Sequence, residues 1–484
     1  MVPEIRIQSC NDASVNSDGD YVLYWMIANR RVRWNFSLDR TIEWAEKLNK
    51  PLLLLEALRC DYAWASDRLH RFILEGMADN ARRLQDTNVT YYPYVERKTG
   101  AGKGLLSELA KQACVIITDD FPAFFLPRMI EAAAQQVSVH MEKVDSNGLL
   151  PMRAAEKEYA RAYDFRRFLQ KVLPNHLTEF PTPEPIAESH LPKLSGLPKS
   201  IEKRWPRASL TWLDDPDLGA LPIDHSVAPA QSQGGSKEAE DILHNFLNNK
   251  LSDYSEQRNE PEKAATSGMS AYLHFGHISV HQIFYEIMQK EDWSLNRLSP
   301  KTTGSRSGWW GVSDTTEAFL DELITWRELG YNMCYRRADY EQYQSLPDWA
   351  KQTLAEHDSD PREYIYTEDE FERGRTHDPL WNAAQMQLVR EGRIHNYLRM
   401  LWGKKILEWT KSPQEALHVM IELNNKYALD GRNPNSYSGI FWVLGRYDRA
   451  WGPERPIFGK VRYMSSENTA RKFQVKNYIE TYQP

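Results

Sequence analysis

Hydrophobic and polar positions follow two alternating patterns along the first third of the chain. Between residues 20 and 150, short apolar runs such as DYVLYWMI and PLLLLEAL are typical of buried strands. Stretches with helical spacing lie between them, as in DRTIEWAEKLNK, where Ile42, Ala45 and Leu48 share one face. This order predicts a parallel sheet with helices on both faces. We therefore assign residues 1–150 to an α/β domain.

The pattern changes after residue 150. A helical stretch, residues 154–172, leads into a segment with ten prolines between Pro174 and Pro229. From residue 236 onward, helical patterns follow one another and strand signals nearly vanish. We therefore predict that residues 151–235 are one helix plus a linker without regular structure. Residues 236–484 are predicted to form an all-helical second domain.

Composition narrows the class of protein. Charged residues make up 26% and hydrophobic residues 41% of the 484-residue chain, which is ordinary for a globular protein. The four cysteines are scattered without metal-ligand spacing, which favours a reducing compartment and argues against a metal site. We see no signal peptide, and no run approaches the roughly 18 apolar residues of a membrane-spanning helix. We therefore expect a cytoplasmic protein that does not bind membranes.

Charge is distributed unevenly. A net charge of −7 argues weakly against a nucleic-acid partner when taken alone. Between Arg446 and Lys476, however, eight basic residues stand against three acidic ones. The end of the chain is therefore locally basic, and both a solvated surface and a nucleic-acid contact fit this pattern.

Tryptophan is concentrated between residues 377 and 445, which hold four of the sixteen in the chain. Trp402 and Trp409 lie on one face of a predicted helix, two turns and about 10.5 Å apart. Trp381 belongs to the preceding helix, which Asp378 and Pro379 are expected to cap. Three neighbouring indoles can carry electrons or simply fill a core, and spacing alone favours the core.

Two further groups of residues carry candidate chemistry. Glu322 and Trp326 are four residues apart and share a helix face with Phe319. A carboxylate between aromatic rings is either a ligand-binding group with a raised pKa or a surface residue at the helix margin. Thr266 and Ser267, with neighbouring hydroxyls, precede a helical run and fit either a phosphate site or an ordinary helix cap.

Several long motifs, taken in order, resemble one family. They are TSGMSAYLHFGHIS, FLDELITWREL, THDPLWNAAQMQLVREGRIHNYLRMLWGKKILEW and LDGRNPNSYSGIFW. The chain resembles the photolyase/cryptochrome flavoproteins, and most of all the class II cyclobutane pyrimidine dimer photolyases. The resemblance implies a Rossmann-like α/β domain, a long linker and a helical FAD-binding domain. It also implies light-dependent DNA repair by a carbon-carbon lyase.

The resemblance further implies where FAD is held. Arg399 and Asp430 resemble an ion pair beside the flavin ring, and Asn424 resembles an asparagine that faces flavin N5. The remaining flavin-binding positions are Tyr254, Thr266, Ser267, Gly268, Met269, Ser270, Phe319, Glu322, Arg327, Asn396 and Gly431. Trp402, Trp381 and Trp409 resemble the proximal, medial and distal members of an electron relay to the flavin.

The implied partner is UV-damaged DNA. Glu322 resembles the carboxylate that hydrogen-bonds the lesion, whereas Trp326, Met400 and Trp442 resemble the walls around the flipped dimer. Arg449 and Arg462 lie in the basic tail, where the family enters the DNA opening left by the lesion. A monomer is expected, associated with the nucleoid in a prokaryote or located in the nucleus of a eukaryote.

Some features depart from the family pattern or leave alternatives open. The polar segment around Trp309 and Trp310 is longer than usual, and WGPERP at residues 451–456 carries an extra residue. We expect both to alter the rim that faces DNA. An antenna chromophore, either 8-hydroxy-5-deazaflavin or a folate, is compatible with the α/β domain but is not identified by the sequence. The alternative function is that of a blue-light receptor without repair activity.

Overall fold

A six-stranded sheet forms the centre of the N-terminal part of the chain. A computed structural model describes residues 1–484, and the strand order in its sheet is β1-β6-β5-β2-β3-β4. All neighbouring strands are parallel except β1, which runs antiparallel to β6. The strands are β1 (Ile7–Ser9), β2 (Tyr21–Met26), β3 (Leu52–Leu58), β4 (Thr90–Val95), β5 (Ala113–Asp119) and β6 (Met141–Val144). The predicted parallel sheet is confirmed.

Helices connect the strands as the hydrophobic pattern predicts. They are α1 (Phe36–Leu48), α2 (Asp67–Leu84), α3 (Leu105–Ala110) and α4 (Leu126–Gln136). The side chain of Asn35 accepts a hydrogen bond from the Ser37 amide and caps α1. Every residue of β2 is buried, which is typical of a parallel strand covered on both faces.

The segment after the sheet holds more regular structure than we predicted. It contains α5 (Ala162–Val172), α6 (Lys199–Arg204) and α7 (Leu210–Asp214). The amide of Ala208 donates to the Pro93 carbonyl at 2.8 Å, so this segment covers part of the β4 edge. A linker entirely without regular structure was therefore a wrong prediction.

The start of α5 was also predicted too early, at residue 154. The Tyr159 amide donates to the Asn332 side chain at 3.1 Å, and the Tyr447 amide donates to the Ala160 carbonyl at 3.2 Å. These partners lie far along the chain and hold the preceding backbone out of the helix. The helix therefore begins only at Ala162.

Two compact units interleave along the chain. The first comprises Met1–Ala155, Leu173–His244 and Met269–Lys290, and the second comprises Glu156–Val172, Asn245–Gly268 and Glu291–Pro484. His277 shows why 269–290 joins the first unit, because its ring stacks on Phe72 and accepts a hydrogen bond from the Gly235 amide at 2.9 Å. The domains predicted from the sequence, residues 1–150, 151–235 and 236–484, are instead successive segments of the chain.

The second unit is helical, and all six strands precede residue 145. The predicted α/β plus all-α fold class is therefore confirmed. None of the helices combines the length and apolar character needed to span a membrane. After α7 the helices are α8 (Ser236–Asn249), α9 (Tyr254–Gln257), α10 (Ser270–His274), α11 (Val280–Lys290), α12 (Asp314–Leu320), α13 (Arg327–Arg336), α14 (Asp348–Glu356), α15 (Glu368–Glu372), α16 (Pro379–Glu391), α17 (Asn396–Trp409), α18 (Pro413–Tyr427), α19 (Pro434–Val443), α20 (Ser466–Lys472) and α21 (Lys476–Tyr482).

Candidate functional site

Three buried tryptophans lie on α16 and α17, two helices that pack against each other. Trp381, Trp402 and Trp409 are 0%, 2% and 3% exposed. The Trp381 indole N–H donates to the Trp402 carbonyl at 3.0 Å, and its ring lies edge-on to Trp409 with centroids 5.9 Å apart. The Trp402 indole N–H donates to Gln385 at 2.9 Å. Asp378 caps α16 as predicted, accepting from two backbone amides, and so fixes the position of Trp381.

The row of rings continues beyond Trp409 toward solvent. Trp409 lies 5.0 Å from the His377 ring and 5.6 Å from the Tyr366 ring. The His377 ring stacks on Tyr364 at 3.8 Å, and Tyr364 is 38% exposed. Trp381 and Trp409 are therefore connected to the surface by an aromatic cluster that the sequence motifs did not identify.

Glu322 and Trp326 belong to a π-helical turn, Asp321–Trp326, inserted between α12 and α13. The Arg327 amide reaches back five residues to the Glu322 carbonyl. The sequence predicted an ordinary α-helix here, which is wrong at this turn. A π-turn changes the direction of side chains along a helix and is frequent at functional sites. Phe319, just before it, is buried against Tyr254 with ring centroids 5.3 Å apart.

The Glu322 carboxylate has a charged partner that sequence reasoning missed. The Arg258 guanidinium donates to Glu322 Oε1 at 2.8 Å and lies over the Tyr254 ring at 5.6 Å. Burial raises the pKa of Glu322, and the Arg258 charge opposes that rise. Arg258 follows Tyr254 by four residues, so helical spacing was the available signal.

Arg399 and Asp430 form the ion pair that the sequence suggested. Two hydrogen bonds of 2.9 and 3.2 Å join the guanidinium to both carboxylate oxygens. Arg399 Nε is buried without a hydrogen-bond partner. This bidentate pair therefore keeps one unused donor beside it, which a bound group can satisfy.

Asn424 lies on α18, a few residues before Asp430. Its side-chain nitrogen donates to Ser436 at 2.7 Å, which fixes the orientation of the amide. A methyl group at Gly431 would come within 2.7 Å of the Asn424 carbonyl oxygen, so only glycine allows the loop this close. The loop between α18 and α19 is therefore held against the helix that carries Asn424.

Trp442 lies between two basic side chains. Lys404 Nζ is 5.1 Å from its ring and the Arg462 guanidinium is 5.5 Å away. Lys404 is fully buried, and burial lowers its pKa to about 7. Trp442 itself is half-buried. Trp442, which is expected to contact the lesion, is thus contacted by basic side chains on two sides.

A second indole, that of Trp451, contacts two arginines of the basic tail. Arg449 and Arg462 lie over the Trp451 ring at 4.5 and 4.1 Å, and Arg462 also pairs with Asp448 at 2.9 Å. Arg449 is exposed. Sequence reasoning named both arginines but not Trp451, which holds them in place.

The remaining predicted residues are less closely grouped. Arg327 is buried and donates to the Tyr331 hydroxyl at 3.0 Å, while Met400 is half-buried and Asn396 is exposed on the first turn of α17. Thr266 and Ser267 are half-buried, and Gly268 adopts a φ of 74°. Met269 and Ser270 belong to the first unit. The helix that follows, α10, has only five residues.

Proteins of known function resemble the whole chain. No family model matches it. It is 34% identical over 481 residues to the deoxyribodipyrimidine photo-lyase of Methanothermobacter thermautotrophicus, covering 99% of this chain and 98% of that protein. Proteins of the same name from Arabidopsis thaliana and Potorous tridactylus are 33% and 31% identical, over 95% and 98% of this chain and 88% and 83% of theirs.

Solved structures agree at the level of fold. A class III photolyase from Agrobacterium tumefaciens superposes with a TM-score of 0.68 at 16% identity, over 96% of this chain and 86% of that one. A cryptochrome from Synechocystis superposes with a TM-score of 0.66 at 15% identity, over 96% and 88% of the two chains. The fold is thus shared across both branches, while sequence identity over nearly the full length is to the repair enzymes. On that identity, the chain belongs to the deoxyribodipyrimidine photo-lyase family.

Proposed function

We propose that this chain is a class II photolyase that splits cyclobutane pyrimidine dimers in DNA in a light-dependent reaction. The observation that carries the proposal is that the second unit holds two separate groups of residues, one suited to electron transfer and one suited to binding a base. The Trp381 and Trp409 rings are in contact, and the Trp381 indole is hydrogen-bonded to the Trp402 carbonyl. The Glu322–Trp326 turn carries a carboxylate beside an aromatic ring. Full-length identity to relatives named deoxyribodipyrimidine photo-lyase supports the same function.

The residues fit FAD as the cofactor. Arg399 and Asp430 present a paired cation and anion, and the unpartnered Arg399 Nε offers a donor to a ring oxygen or nitrogen. A guanidinium next to a flavin favours its anionic, reduced form. When bound and reduced, FAD would supply on excitation the electron that opens the cyclobutane ring, and that electron would return to the flavin once the ring has split. An antenna chromophore in the α/β unit stays a prediction, and an absorption band in addition to those of the flavin would reveal it.

The dimer must leave the duplex before it can be repaired. Enzymes that act on a base, photolyases among them, extrude it from the stack, and damaged bases cost less to extrude. Trp326, Met400 and Trp442 are all half-buried, so each has surface that a flipped pyrimidine pair can cover. Arg449 and Arg462 supply cations toward the phosphates and the space left in the duplex.

Glu322 can read the flipped base through one of its two oxygens. Arg258 occupies Oε1, which leaves Oε2 to accept a hydrogen bond from a pyrimidine ring N–H. The Arg258 charge also opposes the effect of burial and favours the ionised, acceptor form. Arg258 is therefore proposed to keep Glu322 ready for the lesion.

The three indoles have a separate role. Trp402, Trp381 and Trp409 are proposed to carry electrons inward to resting FAD, and the aromatic cluster of Tyr364 and His377 leads from Trp409 to solvent. Because the indole N–H groups of Trp381 and Trp402 are hydrogen-bonded, the orientation of both rings is fixed. The two rings are therefore held in fixed positions for electron transfer.

A repair assay with one variant tests the proposal. Purified protein should show flavin absorption and remove dimers from UV-irradiated oligothymidine in light but not in darkness. Glu322→Ala should keep the flavin spectrum and slow repair about 10- to 100-fold, because it removes a hydrogen bond of a charged group worth about 1.5–3 kcal/mol. Glu356→Ala, at an exposed glutamate of α14, is the control and should repair normally.

Each result has a clear meaning. Flavin absorption without repair by the natural chain would refute the proposal and favour a blue-light receptor on the same fold. Full repair by Glu322→Ala would leave the overall reaction intact and reject the role of this carboxylate.

A further inference from the structure

A basic loop, residues 299–311, is not used by the proposed mechanism. Its sequence is SPKTTGSRSGWWG, and no acidic residue occurs between 293 and 313. Lys301 and Arg306 are exposed, together with the hydroxyl groups of Thr303, Ser305 and Ser307. Such a mixture of cations and hydroxyls is suited to phosphate oxygens.

The base of the basic loop is closed by one carboxylate. The backbone amides of Gly308, Trp309 and Trp310 donate to Glu317 at 2.6, 2.9 and 3.1 Å. The Trp293 indole N–H donates to the Trp310 carbonyl at 2.7 Å. Both Trp309 and Trp310 are buried, so the C-terminal part of the loop is anchored in the second unit.

The tip of the basic loop is clamped onto α5. The Gly304 amide donates to the Gln170 side chain at 2.7 Å, and Gln170 donates in turn to the Ser305 carbonyl at 3.0 Å. A methyl group at Gly304 would lie 2.9 Å from the Tyr163 carbonyl oxygen and 3.1 Å from Arg167 Cβ. Gly304 also has a φ of 80°, so the tip depends on this glycine. The loop is therefore ordered by specific contacts, which lowers the entropy cost of binding through it.

The clamp is continuous with the proposed lesion site. Arg166 forms two hydrogen bonds with the Asp321 carboxylate at 2.7 and 2.9 Å, and also donates to the Gly304 carbonyl at 3.4 Å. Asp321 begins the π-turn, and Glu322 is the next residue. One guanidinium thus connects the basic loop to the turn that carries the lesion-reading carboxylate.

The exposed cations form one patch beside this connection. Arg167 on α5 is exposed next to the loop tip, and Arg306 follows Gly304 by two residues, a span of at most about 7 Å. Arg161, immediately before α5, forms a salt bridge with Asp164 at 2.7 Å. The backbone of Arg161 pairs with the backbone of Tyr447, two residues before Arg449 of the basic tail. The start of α5 therefore lies next to the start of the basic tail in the same unit.

We infer that the basic loop and Arg167 bind backbone phosphates of the DNA that flanks the flipped dimer. This inference rests on the proposed function. Contacts to phosphates add affinity and register for duplex DNA without adding sequence preference. The local positive charge also explains how a chain with a net charge of −7 approaches DNA.

The test compares salt dependence of binding with repair of a short substrate. Arg167→Gln combined with Arg306→Gln should make the slope of log K against log salt shallower by about 1.8 on a dimer-containing duplex, at about 0.9 per phosphate contact. Repair of the dimer in two-nucleotide oligothymidine, which has no flanking phosphates, should proceed at the natural rate. Arg373→Gln combined with Lys411→Gln removes the same charge from exposed positions just after α15 and between α17 and α18, and should leave the slope unchanged.

A second variant separates the position of the loop from its charge. Gly304→Ala keeps both cations but forces the tip away from α5, so we expect weaker binding to the duplex with oligothymidine repair retained. An unchanged slope in the Arg167/Arg306 variant, or an equal change in the control variant, would overturn the inference. Absence of light-dependent repair by the natural chain would instead refute the proposed function. The salt dependence of binding to the damaged duplex would still show whether the basic loop contacts phosphates.

Discussion

Lys404 offers a direct test of how the wall around Trp442 is built. Its side chain is fully buried, and Nζ donates to the Val443 carbonyl at 2.5 Å beneath the Trp442 ring. Burial lowers the pKa of Lys404 from 10.5 to about 7, with Asp448 raising it and Arg462 lowering it. In the folded protein this lysine therefore loses its proton near neutral pH, while in the unfolded chain it keeps the proton up to about pH 10.

The sign of the stability change follows from this difference. Between pH 7 and the unfolded pKa of 10.5, the unfolded chain binds one proton more than the folded protein at Lys404. Stability must therefore rise with pH in this window, by up to about 1.4 kcal/mol per pH unit. From pH 7 to pH 9 the free energy of unfolding should gain about 2 kcal/mol from this residue. Below pH 7 both states are protonated, and the contribution levels off.

Urea unfolding at pH 7 and pH 9 measures this gain. The stability difference between the natural chain and Lys404→Met should shift in favour of the natural chain by about 2 kcal/mol at the higher pH. Lys405→Met is the matched control at the next residue. Burial lowers the pKa of Lys405, but the hydrogen bond and charge of Glu408, 2.7 Å away, outweigh it and raise the pKa overall. The control difference should therefore be equal at both pH values.

A stability difference for Lys404→Met that is the same at pH 7 and pH 9 would refute the reasoning. It would mean that Lys404 stays charged beneath Trp442, held by the Val443 carbonyl and the face of the ring. The wall of the lesion pocket would then rest on a permanent buried cation.

Two further substitutions test the cofactor side of the site. Trp381→Phe should abolish light-driven reduction of oxidised flavin while chemically reduced enzyme still repairs dimers, at a stability cost of about 1–3 kcal/mol for the lost hydrogen bond and ring volume. The control Trp309→Phe, at a buried indole outside the proposed relay, should leave photoreduction intact. If the Trp381→Phe variant still photoreduces its flavin, the relay is wrongly assigned. Asp430→Asn leaves Arg399 without its anion and should lower both flavin content after purification and unfolding stability, the latter by about 3 kcal/mol. Natural flavin content in Asp430→Asn, measured by absorbance, would argue against the pair as a cofactor contact.

Local signals in the sequence were sufficient for most elements and several site residues. The apolar run of β2 and the Asp378–Pro379 cap of α16 each act over a few residues, and both were predicted correctly. The Arg399–Asp430 pair is also implied by the sequence, through resemblance to a family and not through spacing. Such features can be read from the sequence because helical period, strand period and caps depend on near neighbours.

Other features depended on partners that no local pattern identifies. Glu322 takes its charge partner, Arg258, from 64 residues away. The segment before α5 stays extended because Asn332, 173 residues from Tyr159, accepts its amide.

By itself, the sequence determined the order of sheet and helices and the presence of three neighbouring indoles. Tertiary structure alone decided that a π-turn carries Glu322 and Trp326, and that Arg166 joins this turn to the basic loop. The physical reason is that these arrangements arise from hydrogen bonds and burial between distant segments. They exist only once the whole unit has packed.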